Sequence, residues 1–205
     1  DEEFNPEKTD FEDVLSKFSS KSTKTYDFLL KASKEYKKAI FKICRKFFDM
    51  EKFPKQFQKT ILHMVWKRKG SAEELPNNRF IHMKEGYLAR TCEALLMTQM
   101  KQQIFSKSTI YQIGGQTRHS TNEHLFTIKS IMGLMEARGD GFILTLIDII
   151  SFFDREDILD VMETYEKMEV NKKAARLWYK LNDSTEIQVK TAVGMSDTAQ
   201  VGPLV

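Results

Sequence analysis

The stretch Phe142-Ile-Leu-Thr-Leu-Ile-Asp148-Ile is the most apolar in the chain, and it decides the predicted fold. It is short, rich in β-branched and aliphatic residues and preceded by glycines, which predicts a buried β-strand. Asp148 falls near the carboxyl end of that strand. A lone carboxylate buried there costs several kcal/mol unless it is paired, protonated or bound to a metal. From residue types alone, an Asp that turns to solvent at the strand end is the more frequent arrangement.

The rest of the chain alternates between helical and strand-like patterns, which predicts an α+β fold with a small antiparallel sheet packed on helices. Helices are expected at residues 26–50, 85–105, 120–137, 155–168 and 172–181, and strands at 60–70, 79–83, 142–149 and 186–193. Ser120 and Glu123 form a capping-box pattern, and Leu125, Ile128, Met132 and Met135 are the expected buried side of that helix. Asp154 is the expected cap of the following helix. We expect strands 142–149 and 186–193 in one sheet, from which a basic hairpin around Lys67 projects.

Composition restricts the function only weakly. The 205 residues are 41% hydrophobic and 30% charged, which is typical of a soluble globular protein, and the net charge is +3. Basic residues concentrate between Lys21 and Arg68, where they could face a polyanion or simply form a solvated helix face. Cys44 and Cys92 lack metal-ligand or redox spacing, so we expect reduced, buried thiols and an intracellular location, cytoplasm or nucleus. The longest apolar run is too short to cross a bilayer, and no membrane partner is expected.

The segment Leu146-Ile-Asp148-Ile-Ile-Ser-Phe-Phe153-Asp154 resembles the first palm motif of reverse transcriptases, in which an aromatic residue follows a metal-binding Asp by five positions. The Phe-Asp pair is frequent in enzymes of non-LTR retrotransposons and group II introns. The resemblance implies that Asp148 binds catalytic Mg²⁺ (or Mn²⁺), with the carbonyl of Ile149 as an auxiliary ligand. It also implies that Phe153 lies under the sugar of the incoming nucleotide and excludes a 2′-hydroxyl.

Further segments are similar to this family in the family's order. Met64-Val-Trp-Lys67 stands where the family has Ile-Pro-Lys, and Asn78-Arg79-Phe-Ile81 stands where it has Tyr-Arg-Pro-Ile, so Trp66 and Phe80 replace prolines. The other matching segments are Cys92-Glu93-Ala-Leu-Leu96, the stretch from Gln112 to Leu125, in which Gly115 and Gln116 depart from Phe and Arg, and Val189-Lys-Thr-Ala-Val-Gly194.

The resemblance implies a two-metal nucleotidyl transfer with an RNA template, a DNA primer and deoxynucleoside triphosphates as partners. Lys67 and Arg79 would bind the triphosphate, and Arg68, Lys69 and Gln112 would contact the template and primer. A solvated basic hairpin is the competing interpretation of the first two.

The resemblance also divides the chain into parts. A flexible acidic segment (1–20) and a helical lead-in (21–58) would precede the fingers (59–138) and a partial palm (139–205) that ends before the Gln-Gly motif. The family's Tyr-x-Asp-Asp turn is absent, so we expect this fragment of a retrotransposon enzyme to be inactive by itself. Two alternatives stay open: a catalytically degenerate relative, either a relic or a nucleic-acid-binding scaffold, and an unrelated basic helical binding module. The sequence does not predict the oligomeric state.

Overall fold

A computed structural model describes residues 4, 6–19, 29–116, 118–149, 156–183, 185–191 and 194–200. The chain divides into two compact units, residues 1–104 with 156–205 and residues 105–155. Helices and a small sheet are both present, so the predicted α+β class is confirmed. Within the described ranges, no helix is long and apolar enough to cross a membrane.

Most predicted elements form close to their expected bounds. In chain order the observed helices and strands are α1 (Lys8–Ser19), α2 (Lys34–Met50), β1 (Lys59–Trp66), β2 (Asn78–Lys84), α3 (Tyr87–Lys107), α4 (Thr121–Arg138), α5 (Ile158–Lys167), α6 (Lys172–Asn182), β3 (Glu186–Thr191), β4 (Gly194–Met195) and β5 (Ala199–Gln200), of which α1, β4 and β5 were not predicted. Short 3-10 turns cover Lys55–Gln58 and Leu75–Asn77. The hairpin, its return strand and the helices that surround them are therefore confirmed.

Helix α1 corrects the prediction of a flexible N-terminal segment over residues 1–20. Phe11, Val14 and Leu15 recur at intervals of three and four residues and are almost fully buried in the core. The ring of Phe11 packs against Phe41 of α2, with a distance of 5.3 Å between ring centroids. The acidic composition that suggested flexibility belongs to the other side of an amphipathic helix.

The sheet is mixed, with strand order β2-β1-β3-β4 and β5 also paired to β3. Strands β1 and β2 are antiparallel, from Thr60↔Lys84 to Trp66↔Asn78. Strands β1 and β3 run parallel, from Lys59↔Glu186 to His63↔Lys190. This parallel pair departs from the predicted antiparallel sheet, and the long helical connection between β1 and β3 makes it possible.

The segment 142–149, predicted as a buried strand, has no regular secondary structure. Its apolar side chains are exposed, with Ile143 at 94%, Leu146 at 83% and Ile147 at 87%. A strand needs a neighbour to satisfy its backbone and a surface to cover its side chains. The expected neighbour, β3, pairs instead with β1, β4 and β5. The prediction that 142–149 and 186–193 share a sheet is therefore wrong.

The two helices predicted to back that sheet differ in burial. Helix α4 begins at the predicted capping box of Ser120 and Glu123 and ends at Gly139, but none of its residues is buried. The prediction of a buried side for α4 is thus wrong. Helix α5 buries Ile158, and its N-cap is Asp157, whose carboxylate accepts a hydrogen bond from the amide of Leu159 at 2.8 Å. The predicted cap, Asp154, lies outside the described residues.

Candidate nucleic-acid interface

One face of the sheet collects the cations of the hairpin. Successive side chains of a strand point to opposite faces, and residues paired across strands share a face. Val65 pairs with Arg79, and His63 pairs with both Ile81 and Lys190. The resulting surface, called the hairpin face below, consists of Ile61, His63, Val65, Arg79, Ile81, Met83, Gln188 and Lys190.

The hairpin face is open and positively charged towards the hairpin tip. Val65 is 44% and Ile81 46% exposed, and the side chains of Arg79 and Lys190 are exposed as well. The acidic residue of β3, Glu186, lies at the opposite end, paired with Lys59. In the part of the chain that the structure describes, no ion pair engages Arg79 or Lys190.

The tip loop is held in shape by hydrogen bonds from Lys67 and Asn77. The amide of Lys67 donates to the carbonyl of Asn77 at 2.8 Å, which extends the strand pairing by one step. Its Nζ donates to the carbonyl of Pro76 at 2.8 Å. Because the ammonium has three protons, two remain for a phosphate. Lys67 directly follows β1, two residues beyond Val65, which pairs with Arg79.

Two residues of the loop adopt left-handed backbone conformations, Arg68 at φ 58° and Gly70 at φ 68°. The side-chain amide of Asn77 lies against Gly70, so a Cβ at position 70 would collide with it. That amide also donates to the carbonyl of Ser71 at 2.9 Å and to the carboxylate of Glu74 at 2.7 Å. The loop between the strands is thus shaped, and Arg68 and Lys69 are exposed on it.

Buried charges anchor the other end of the hairpin. Nζ of Lys84, a residue 7% exposed, donates to the carbonyl of Leu181 in α6 at 2.9 Å. Burial lowers the pKa of Lys84, and nearby Glu93 opposes that shift. Burial likewise raises the pKa of Glu93, against the effects of Lys84 and Arg90. Nε of Arg90 donates to the carbonyl of Lys84 at 2.6 Å, so α3 and α6 both hold the end of β2.

The structure brings together some of the predicted site residues. Arg79 lies on the hairpin face, and Lys67, which directly follows β1, begins the adjoining loop with Arg68 and Lys69. Asp148, Ile149 and Gln112 belong to the unit of residues 105–155, where all three are exposed.

Asp148 does not occupy the strand end predicted for it, because residues 142–149 lack strand structure. Phe153 lies outside the described residues. Among described residues, no group of three His, Cys, Asp or Glu side chains is arranged to hold a metal ion.

Sequence reasoning missed His63 and Lys190 as members of this surface. The alternation of β1 could have placed His63 on the same face as Val65, because residues two apart in a strand point to the same side. Lys190 joins the surface only through the parallel pairing of β1 and β3. No local pattern encodes that pairing, because the two strands are separated by more than a hundred residues.

Comparison with known proteins gives no family assignment. No protein-family model matches the chain, and no curated protein matches it. The site described above therefore rests on its own geometry, and the resemblance to reverse transcriptases rests on the motifs alone.

Proposed function

We propose that this chain is part of a reverse transcriptase domain of the type found in retrotransposons, and that the hairpin face binds phosphates of nucleic acid and nucleotide. The observation that supports the proposal is that Arg79 and Lys190 lie on one open face of the sheet, and that Lys67, a second motif residue, directly follows β1. Lysine supplies a compact point charge, and arginine supplies a planar fork that suits phosphate oxygens. Such cations stabilise charge on a triphosphate during nucleotidyl transfer.

The catalytic part of the proposal concerns Asp148. Polymerases of this kind use two divalent ions to stabilise the attacking and leaving oxygens. Asp148 and the carbonyl of Ile149 would supply ligands, but one carboxylate holds Mg²⁺ loosely. We therefore expect weak Mg²⁺ binding and no primer extension by this chain alone, and activity only with further carboxylates. In a longer active polypeptide, Asp148→Asn would abolish incorporation, whereas Phe153→Val would admit ribonucleotides because the steric barrier is lost.

The binding part can be tested on the chain as it stands. A fluorescent RNA template annealed to a DNA primer would be titrated at several salt concentrations, and its affinity measured by anisotropy. The variant Lys67→Ala/Arg79→Ala/Lys190→Ala should bind more weakly, with a salt slope smaller by about two to three, since each phosphate contact contributes about 0.7–0.9.

A matched control removes three exposed lysines of the same unit that lie off this face, Lys46→Ala/Lys52→Ala/Lys55→Ala. It carries the same change in net charge and should retain most of the affinity and slope. Equal losses for the two variants would mean that binding follows net charge, and the proposed site would be wrong.

A second function is favoured by one observation. Asp148 is exposed in an irregular segment, which suits a nucleic-acid-binding scaffold without catalysis better than a polymerase. A scaffold would keep the salt-dependent binding of the hairpin face. In a longer polypeptide it would show no incorporation that Asp148→Asn could abolish.

A further inference from the structure

A groove between α1 and α2, of about 600 Å³, lies apart from the residues of the hairpin face. Its floor is apolar, formed by Phe11, Leu15 and Phe41. Its rim is cationic, with one acidic residue, Glu12, on the α1 side. The rim cations all belong to α2: Lys34, Lys37, Lys38, Lys42 and Arg45.

The spacing of these cations is regular. Lys34, Lys38 and Lys42 follow one another at four-residue intervals, so they form a row along one side of α2 with a step of about 6 Å. Their side chains are exposed. Lys37 stands beside the row, and its Nζ donates to the carbonyl of Leu30 at 2.7 Å. A ligand complementary to these three lysines carries negative charges spaced about 6 Å apart.

The exposure of the aromatic rings in the floor argues against single-stranded nucleic acid as the ligand. Single-stranded nucleic acid is held in such grooves by bases stacked on open aromatic faces. Here Phe11 is only 3% exposed, and its ring is packed against that of Phe41. Stacking sites of this kind are therefore closed, while the floor still offers an apolar strip beside the cations.

Helix α1 packs its apolar residues into the core beside α2 and keeps its acidic residues, Glu12 and Asp13, exposed. The contact between the two helices is therefore apolar. The row of lysines lies beside it, at the rim of the groove.

We propose that the groove docks an acidic amphipathic helix of a partner protein. Its apolar side chains, three and four residues apart, would lie on Phe41, the partly exposed apolar residue of the groove, as in other helix-in-groove complexes. Carboxylates four residues apart would pair with Lys34, Lys38 and Lys42, because two aligned α-helices repeat their side chains at the same step. This surface is independent of the proposed polymerase function.

The test uses a fluorescein-labelled helical peptide of about four turns, with Leu at alternating three- and four-residue intervals and Glu at four-residue intervals on one flank. Binding to the full chain is measured by anisotropy. Lys34→Ala/Lys38→Ala/Lys42→Ala should weaken binding about tenfold, from the loss of three partly solvated ion pairs. The control Lys46→Ala/Lys52→Ala/Lys55→Ala should change it by less than about twofold. A peptide with Gln in place of Glu should also bind the native chain about tenfold more weakly. Its affinity should then match that of the Glu peptide for the variant Lys34→Ala/Lys38→Ala/Lys42→Ala, called the groove variant below.

Three outcomes would overturn the proposal. The Glu peptide could fail to bind, or the two lysine variants could weaken it equally. Alternatively, a single-stranded oligouridine RNA could lose affinity specifically in the groove variant while the peptide does not bind, which would assign the groove to nucleic acid. Circular dichroism of both variants ensures that any loss is not due to unfolding.

Discussion

Helices α3 and α4 have similarly convincing sequence patterns, yet their surroundings differ. In α3, which begins in the unit with the sheet, Leu95 and Leu96 are fully buried. In α4, within the unit of residues 105–155, Leu125 is 52% and Leu134 51% exposed. Hydrophobic periodicity and capping thus specify that a helix forms, whereas burial of its apolar side chains requires a neighbour with a complementary surface.

The largest expected effect comes from truncating one leucine in each helix. Leu95→Ala should lower the free energy of unfolding by about 3 kcal/mol, because it removes a fully buried side chain and leaves a cavity. Leu125→Ala should cost less than about 0.5 kcal/mol, as exposed positions do. Urea unfolding followed by circular dichroism measures both. Similar losses would mean that Leu125 is covered in solution and that the contrast between the helices is wrong.

A smaller effect is expected from the ion pairs that join α2 to α6. Glu51, at the end of α2, accepts hydrogen bonds from Nε of Arg176 at 2.9 Å and from Nζ of Lys180 at 3.0 Å. These cations lower the pKa of Glu51 from 4.5 to about 2. Since the folded-state pKa lies below the unfolded one, the stabilisation is fully present above pH 4.5 and is lost as the pH falls towards 2.

Glu51→Gln should therefore cost about 1 kcal/mol at neutral pH, a value reduced by partial solvent exposure. It should also flatten the stability profile over that acid range, as measured by thermal unfolding at stepped pH. Glu163→Gln is the control, because Glu163 pairs with Lys167 within α5 on an exposed surface. If the control loses as much stability as Glu51→Gln, the connection between α2 and α6 contributes nothing specific.

The smallest effect on stability is expected in the segment 142–149. Replacing Ile143 and Ile147 with Ser should change the free energy of unfolding by less than about 0.5 kcal/mol, because both side chains are already in solvent. The matched change in the sheet, Ile187→Ser, removes a buried side chain and should cost several times more. A large loss of unfolding free energy in the double variant would mean that residues 142–149 are buried in solution, as the sequence predicts.

Patterns of neighbouring residues correctly predicted several helix ends and the hairpin. The capping box of Ser120 and Glu123, the end of α2 before Pro54 and the hairpin around Lys67 all follow from residues close in sequence. The irregular structure at Asp148 could not be predicted in this way, because an apolar run forms a strand only beside a partner. The same holds for Lys190, whose place beside His63 depends on a parallel pair between distant strands.

The residues of the candidate site also fall into two groups, those predicted from sequence and those that only the tertiary structure shows. Lys67 and Arg79 were predicted from motifs. Arg79 lies on the hairpin face, and Lys67 directly follows β1. The metal-binding role of Asp148 and Ile149 stays a prediction, as does the role of Phe153, which lies outside the described residues. Lys190 was added by tertiary structure alone, whereas the alternation of β1 could already have placed His63.

The most direct test of the central claim asks which face of the sheet touches nucleic acid. A template containing 4-thiouridine, annealed to a DNA primer, would be bound to the chain, irradiated and mapped by mass spectrometry of tryptic peptides. If the hairpin face is the interface, adducts form at His63, Val65, Ile81 and Lys190, and few form at Met64 or His82 on the opposite face. Adducts that concentrate on the opposite face, or on Lys34–Met50, would contradict this assignment.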